Sequence, residues 1–287
     1  MIRVFQRSDR EQLTGLVNAH IAAVVPGVSV SVNALMSQLE REPDEAIVDP
    51  WVVDRRTLVA IDRDHVVGGA HLLRYGDDDR VGESYRGGAE IRWLVHGVGD
   101  VAAADELAAA ACAVMDRWGA QRQWADGSLP GHFVYGIPGV WPHVRTTLAR
   151  AGFVHEGRVE LILLALVDEL PDVPPLELEL RRSVGGWTRL SAIRADEQIG
   201  YVELETDFTA GGTRARYAGW ADIGNLEFTE PLVGVWLLAQ AREWLRLARA
   251  DRLVSYAWAE ETEKLAFHLA NGFRELVGTE RGWIRRR

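Results

Sequence analysis

The sequence predicts two consecutive α/β domains, each with a mixed, mainly antiparallel sheet flanked by helices. Three observations lead to this prediction. Strands and helices alternate along the 287 residues, a proline-rich segment divides the chain, and one pattern of residues occurs twice. A chain of this length also exceeds the size at which a single hydrophobic core usually keeps growing, which favours two domains over one.

The first half alternates strands with helices. Ser8 or Asp9 is a plausible N-cap for the first helix, and Gly119 and Gly152 end two later ones. The predicted strands are 2–5, 57–61, 66–73, 88–95 and 123–125, followed by a region at 154–167 that forms one bent strand or two. The predicted helices are 10–25, 33–41, 105–118 and 141–151.

The proline-rich segment 168–175 reads DELPDVPP and contains three of the ten prolines of the chain. Proline removes a hydrogen-bond donor and favours extended backbone before it, so this segment interrupts regular structure. It predicts a division into an N-terminal domain, 1–170, and a C-terminal domain, 171–287.

An internal repeat crosses this boundary at a constant offset of 132 residues. The segment 60–64, AIDRD, aligns with 192–196, AIRAD, and Val67-Gly68 aligns with Ile199-Gly200. Farther on, Tyr85 aligns with Tyr217, and 89–91, AEI, aligns with 221–223, ADI. One offset without gaps over this length indicates two copies of one unit.

The second copy is shorter than the first. Its first strand is predicted at 176–180, LELEL, from the alternation of apolar and acidic residues. The two early helices of the first half have no counterpart. After the repeated strands, the pattern predicts a helix at 234–248, a strand at 252–257, a helix at 261–270 and a last strand after Gly272-Phe273.

Composition excludes several classes of function. Apolar residues make up 47% and charged residues 26%, which is typical of globular proteins. The net charge of -10 argues against nucleic-acid binding and permits an amine substrate. No apolar run approaches the length of a membrane span and the N-terminus lacks a signal-peptide core, so we expect a cytoplasmic protein with no membrane partner. The single cysteine, Cys112, cannot form an internal disulfide, and the eight histidines show no metal-binding spacing, so we expect no metal.

The order of these elements resembles that of the GNAT acyltransferase superfamily. The segments 148–153, LARAGF, and 267–273, FHLANGF, resemble the turn "FYEKLGF" of that family, and 233–241, VGVWLLAQA, resembles the start of its acetyl-CoA helix. The first half resembles a whole GNAT domain and the second a shortened one. The chain as a whole looks like a tandem GNAT protein.

This resemblance implies an N-acetyltransferase that uses acetyl-CoA as co-substrate and acetylates the amine of a small molecule by direct attack. It implies cofactor contacts from the main chain of Leu226, Glu227 and Phe228, and from the helix start at Gly234, Val235 and Trp236. Both phosphate loops depart from the family pattern Q/R-x-x-G-x-G/A. The stretch 229–234, TEPLVG, keeps only the last glycine and places Glu230 where phosphate would lie, and the stretch 96–104 has displaced glycines.

Three residues are candidates for catalysis. Amine acetylation needs a base for the ammonium and an acid for the thiolate. Glu90 and Asp222 occupy equivalent positions, near the start of the strand that carries the base in many GNAT enzymes. In this family a tyrosine acts as the general acid. Its position is occupied by Leu148 in the first half and by His268 in the second, and of these two side chains only histidine can transfer a proton near neutral pH. The C-terminal copy is therefore the better candidate for catalysis.

Two alternatives stay open at this point. A degenerate tandem GNAT can serve as a non-catalytic module that binds a small ligand or a partner. The first half can also be structural and supply the helices that the second lacks. We expect a monomer or a homodimer.

Overall fold

The computed structural model describes residues 1–40, 49–130, 133–185, 187–206 and 219–286. Its residues form two compact units. The first holds Met1–Val159 and residues 279–286, and the second holds the described residues from Glu160 to Gly278. These units are defined by contacts in the structure. The domain boundary between residues 170 and 171 is inferred from the sequence and stays a prediction. Arg41 of the second predicted helix and Tyr217 of the repeat lie outside the described residues.

The first unit contains a seven-stranded sheet in the order β1-β2-β3-β4-β5-β15-β7. Leu13 packs over Gly69 on one face of this sheet, and Leu107 packs over Gly68 on the other. The strands are β1 (Ile2–Val4), β2 (Val52–Asp62), β3 (His65–Tyr75), β4 (Ala89–His96), β5 (Gln123–Ala125), β7 (Phe153–His155) and β15 (Trp283–Arg285), with a short β6 at Ile137–Pro138. The helices are α1 (Arg10–Val24), α2 (Val32–Glu40), α3 (Val101–Arg117) and α4 (Pro142–Arg150).

The second unit has the strand order β14-β8-β13-β12-β11-β10-β9. Its core lies between the sheet and α5, where Trp236, Leu237 and Leu245 are buried against Val202 and Leu253. The strands are β8 (Val159–Leu166), β9 (Glu179–Val184), β10 (Thr188–Arg194), β11 (Glu197–Glu205), β12 (Trp220–Phe228), β13 (Arg252–Trp258) and β14 (Arg274–Glu280), and the helices are α5 (Pro231–Leu247) and α6 (Thr262–Ala270). Because β9 ends at Val184 and β10 begins at Thr188, this unit has no place for counterparts of α1 and α2.

The structure confirms the repeat in its backbone details. The turn between β2 and β3 has positive φ at Arg63 and Asp64, and the turn between β10 and β11 has it at Ala195 and Asp196. The β3–β4 register shifts between His71 and Leu72, and the β11–β12 register shifts at the equivalent place. An inserted residue bends a strand, so both units carry the same kink.

Two features differ from the predictions. The strand predicted at 176–180 lies later in the chain, because β9 begins at Glu179 and all six of its residues are exposed. Leu176 and Leu178 pack against the core of the unit, so the alternation in LELEL marks a half-buried segment that precedes the strand. In addition, the terminal strand of each half joins the sheet of the other unit: β8 lies beside β13, and β15 lies between β5 and β7.

The helix boundaries follow local capping rules. The helix predicted at 234–248 begins three residues earlier, at Pro231, because proline is well tolerated in the first turn. Among the described residues, no helix combines the length and the apolar character needed to cross a membrane.

Candidate active site

The second unit opens a cleft where two parallel strands separate. β12 and β13 are paired from Trp220 opposite Arg252 to Asp222 opposite Val254, and β12 then continues unpaired on this side to Phe228. Beside this free end of β12, a cavity of about 1000 Å³ is lined by residues of β11, β12, α5 and α6. Residues that line it include Leu226, Glu227, Phe228, Val235, Phe267 and His268.

The structure brings most of the predicted cofactor residues to this cleft. Leu226, Glu227, Phe228 and Val235 line it. Gly234 lies in the first turns of α5, where a Cβ would come within 2.7 Å of the rings of Phe228 and Phe267. The glycine therefore allows these two rings, whose centroids are 4.6 Å apart, to pack on the helix. Trp236 points away, into the hydrophobic core, and is 3% exposed.

Asp222 is the last residue of β12 that pairs with β13, so it lies at the point where these two strands separate. It is 9% exposed. The Tyr256 hydroxyl donates to Oδ2 across 3.3 Å, and Oδ1 is buried with no hydrogen-bond partner among the described residues. Burial, with a further contribution from the Glu205 carboxylate, raises the pKa of Asp222 to about 8.

His268 of α6 forms a hydrogen-bonded pair with Ser255 of β13. Ser255 is the first residue of β13 beyond those that pair with β12. The His268 Nδ1 atom faces the Lys264 carbonyl oxygen across 2.8 Å, so it must carry the hydrogen, and Nε2 accepts from the Ser255 hydroxyl across 2.9 Å. Burial lowers the pKa of His268, which keeps the ring neutral.

Sequence analysis did not identify Ser255. A usable signal exists in β13, which reads RLVSYAW. Leu253 and Ala257 are buried in the core beside α5, and alternation places Ser255 on the same face between them. A hydroxyl at an apolar position of a strand marks a buried polar contact, which here is the bond to His268.

Glu90 lies in the first unit, in a different environment. It is 1% exposed, accepts a short hydrogen bond of 2.5 Å from the Tyr75 hydroxyl and lies 3.4 Å from the Arg92 guanidinium. The Tyr75 ring stacks on that of Trp124, with an interplanar angle of 8°. Aromatic rings thus enclose the Glu90 side chain, and the Arg92 guanidinium balances its negative charge.

The corresponding gap of the first unit is filled by side chains. Thr147 of α4 donates to His96 Nε2 across 3.2 Å, and both residues are buried. At the surface, Arg150 of α4 makes a two-pronged ion pair with Asp105 of α3, the closest approach being 2.7 Å. Leu94, His96 and Leu148 are almost completely buried, so among the described residues these side chains fill the space at the end of this strand.

A group of three histidines extends this filled region. The Nδ1 atom of His20 faces the Leu16 carbonyl, so its Nε2 accepts from His143 Nε2–H across 3.2 Å. The His96 and His143 rings meet edge to face, with centroids 4.8 Å apart. Burial lowers the pKa of His20 to about 4, which keeps the ring neutral. No cluster of three or more His, Cys, Asp or Glu residues in the described part of the chain is arranged to hold a metal ion.

Comparison with solved structures identifies this arrangement. A tandem GNAT protein from the clavulanic acid biosynthesis pathway, determined without acetyl-CoA, has a TM-score of 0.64 and 14% identity, covering 99% of this chain and 96% of that one. A GCN5-related N-acetyltransferase from Sphaerobacter thermophilus has a TM-score of 0.60 and 11% identity, covering 99% and 93%.

A third similar structure is part of a longer protein. It is a GCN5-related glucosamine N-acetyltransferase region in a fungal multi-domain GH3 beta-N-acetylglucosaminidase, with a TM-score of 0.62 and 14% identity, and 99% of this chain spans 38% of that protein. No protein-family model and no curated protein matches the chain. At these identities the likeness is one of fold, and the chain is a tandem GNAT-fold protein.

Proposed function

We propose that the second unit is an N-acetyltransferase that transfers the acetyl group of acetyl-CoA to the amine of a small molecule by direct attack. One observation carries this proposal: His268, which lines the cleft, is hydrogen-bonded to Ser255 of β13, and Asp222 lies at the point where β12 and β13 separate. An acyl donor in the cleft and an amine beside Asp222 would meet there.

Asp222 is the proposed base. Its pKa of about 8 lies near the pH at which an amine must lose its proton, and a base works best when its pKa is close to the working pH. The buried Oδ1 atom has a lone pair that no described residue uses. Asp222 therefore accepts a proton from the ammonium group, directly or through one water molecule.

The Ser255–His268 pair is the proposed partner of the leaving sulfur. Since His268 Nδ1–H is held by the Lys264 carbonyl and Nε2 by the Ser255 hydroxyl, the hydrogen that can turn toward a thiolate is the one on Ser255. His268 orients this hydroxyl, and its direct role as an acid would require protonation of a ring whose pKa burial lowers. When bound, acetyl-CoA supplies a thioester carbonyl and a thiolate leaving group.

The residues of the cleft fit the pantetheine arm and the thioester of the proposed co-substrate. The exposed backbone of Leu226, Glu227 and Phe228 continues past the last pair of β12 and can hydrogen-bond to amide groups of the arm. Val235 and Phe267 supply apolar walls. The helix start at Gly234 is less suited to a diphosphate, because the first helical residue, Pro231, has no N–H.

The proposed acceptor is a small-molecule amine, with no nucleic acid or membrane as partner and with the chain acting as a monomer or homodimer. The first unit then has a structural role, because its corresponding gap is filled by His96, Thr147 and Leu148.

A binding module without catalysis is the second candidate. The observation that favours it is the weak diphosphate site, since a chain that no longer holds acetyl-CoA could keep the cleft for another ligand. Such a module would bind a ligand tightly without consuming thioester.

The test is calorimetric titration with acetyl-CoA combined with thioester consumption over a panel of amines. Enzymes usually have KM values from about 1 μM to 1 mM, so we expect binding within this range and turnover with at least one amine. Absence of binding at millimolar acetyl-CoA would refute the proposal, and binding without turnover across the panel would favour the module.

A further inference from the structure

The first turn of α5 offers few donors to a diphosphate. A regular α-helix leaves four N–H groups unpaired, from the N-cap residue to the third helical residue, and these are what bind an anion at a helix N-terminus. Here the first helical residue is Pro231, which has no N–H. The Val233 N–H donates to the Glu230 carbonyl across 2.9 Å, and the Gly234 N–H reaches the same oxygen across 3.3 Å. Among the described residues, the N–H groups of Glu230 and Leu232 have no backbone partner and remain for a ligand, two of the usual four.

The side chains around this turn add little positive charge. The Glu230 carboxylate pairs with Arg194, with 2.9 Å between Oε1 and Nη1, so that arginine is already engaged. Two carboxylates line the cleft, from Glu227 and Glu263, against one ammonium, from Lys264. A diphosphate with a second phosphate on its ribose would meet a lining that carries more negative than positive charge.

Lys264 is the only lysine in the chain and stands at the cleft. Its Nζ atom is 3.9 Å from Glu261 Oε2, which is a loose pair between two exposed side chains. The ammonium can therefore turn to one phosphate of a ligand. It is a single point charge and cannot replace the several N–H groups of an anion-binding helix start.

The deep part of the cleft is better formed. Phe228, Phe267 and Val235 give it apolar walls, and His268, which is hydrogen-bonded to Ser255, also lines it. These are features that hold an acylated arm rather than a nucleotide.

We infer that the cleft recognises its acyl donor by the pantetheine arm and by one phosphate at Lys264, and that the nucleotide of coenzyme A adds little to binding. This inference rests on the proposed function and narrows its donor to acyl-pantetheine thioesters. That class includes 4′-phosphopantetheine attached to a protein.

The experiment is calorimetric titration of the full chain with coenzyme A, 4′-phosphopantetheine and pantetheine. We expect coenzyme A and 4′-phosphopantetheine to bind within about threefold of each other, and pantetheine about 5- to 10-fold more weakly, since it lacks the phosphate that pairs with Lys264. Lys264→Gln should remove the advantage of 4′-phosphopantetheine and leave pantetheine binding unchanged. Arg181→Gln, which removes an exposed cation outside the cleft, is the matched control and should change none of the three.

Coenzyme A binding more than about 30-fold tighter than 4′-phosphopantetheine would overturn this inference and leave the proposed function intact. Binding of none of the three probes at millimolar concentration would refute both. An acyl carrier protein that bears 4′-phosphopantetheine should bind within about fivefold of the free arm, with the unmodified carrier protein as control. Failure of that carrier, while the free arm binds, would overturn the extension to protein-bound donors.

Discussion

The two units have the same strand order around the repeat, but one gap is open and the other is closed. Positions that line the cleft in the second unit, Val235 and Ala270, correspond by their place in the helices to Asp105 and Arg150, which form an ion pair in the first. α3 and α5 have 17 residues each, and α4 and α6 have nine, so this matching needs no gap. A few side chains therefore decide whether the fold keeps a ligand site.

The same matching holds deeper in the gap. Where the second unit has Phe228 and Phe267 packed over a glycine, the first has the hydrogen-bonded pair His96 and Thr147. Where the second has Ser255 and His268, the first has Ala125 and Leu148, both buried. At these two positions a polar pair is present only in the unit whose cleft is open, which favours a role in chemistry there over a role in packing.

The two carboxylates differ because of one residue. The inserted residue of the kinked strand is Arg92 in the first unit, and it lies beside Glu90. The equivalent residue of the second unit is Gly224, which has no side chain and is covered by the Trp187 ring. Among the described residues, no cation therefore lowers the pKa of Asp222, and burial raises it.

The largest expected effect is on catalytic turnover, and it distinguishes Asp222 from Glu90. Asp222→Asn should lower turnover by about 10²- to 10⁴-fold, the usual contribution of a general base. Glu90→Gln should leave turnover within about twofold, because it lies in the unit whose gap is filled. Thioester consumption per folded molecule measures both. Loss of activity in Glu90→Gln alone would reverse the roles of the two units.

The next effect concerns stability and pH. The pKa of Asp222 is about 8 in the folded protein, above the value of about 3.9 for an unfolded chain. The folded protein holds this proton more strongly, so its contribution to stability is complete below about pH 4 and is lost as the pH rises toward 8. Relative to Asp222→Asn, wild-type stability should fall by up to about 1.4 kcal/mol per pH unit within this range.

Denaturant unfolding of both proteins from pH 5 to pH 9 measures this difference. Parallel curves for wild type and Asp222→Asn would show that the carboxyl titrates normally and would remove the distinction from Glu90.

A third comparison uses the glycines after α4 and α6. Gly152 and Gly272 both have φ near +90°, so alanine at either should cost about 1–2 kcal/mol. A Cβ at Gly272 would also come within 2.6 Å of the Glu169 carbonyl oxygen, whereas at Gly152 it meets nothing within 4 Å. Gly272→Ala should therefore be more destabilising, by a further 1–3 kcal/mol or so. Equal shifts in scanning calorimetry would contradict this.

A fourth comparison uses the ends of α3 and α5. The second residue after α3 is Gly119, with φ of +70°, and the second residue after α5 is Arg249, with φ of +60°. Glycine adopts this conformation without strain, so Arg249→Gly should stabilise the second unit by about 0.5–1 kcal/mol. Gly119→Arg is the reciprocal control and should destabilise the first by a similar amount. A lower melting temperature for Arg249→Gly would count against the matching.

The smallest effect is expected at the ion pair that bridges α3 and α4. Asp105 and Arg150 are both about 40% exposed, and exposed pairs contribute about 1 kcal/mol or less. Arg150→Ala should barely change stability. In a chain whose second cleft is filled by Gly234→Val, adding Arg150→Ala should not create acetyl-CoA binding. Recovered binding in this double variant would show that the surface pair, rather than His96 and Thr147, closes the gap.

Local patterns in the sequence predicted most of the scaffold. Alternation and capping predicted the helices to within a few residues, and the constant offset predicted the shared turn and kink, because these features depend on neighbouring residues. The strand predicted at 176–180 was displaced because alternation shows which side chains face the core, as Leu176 and Leu178 do, and does not show where backbone pairing begins. The exchange of β8 and β15 could not be predicted, because pairing between distant strands leaves no local signal.

For the site, the sequence by itself determined which residue types occupy the equivalent positions: Glu90 and Asp222 on the strand, Leu148 and His268 on the helix. Only the tertiary structure decided that one gap is open, that Trp236 faces the core, and that Ser255 holds His268. These outcomes depend on which side chains meet across elements far apart in the chain. The free energy of burying a carboxylate or a histidine is set by those contacts, and it differs between two positions that the sequence makes look alike.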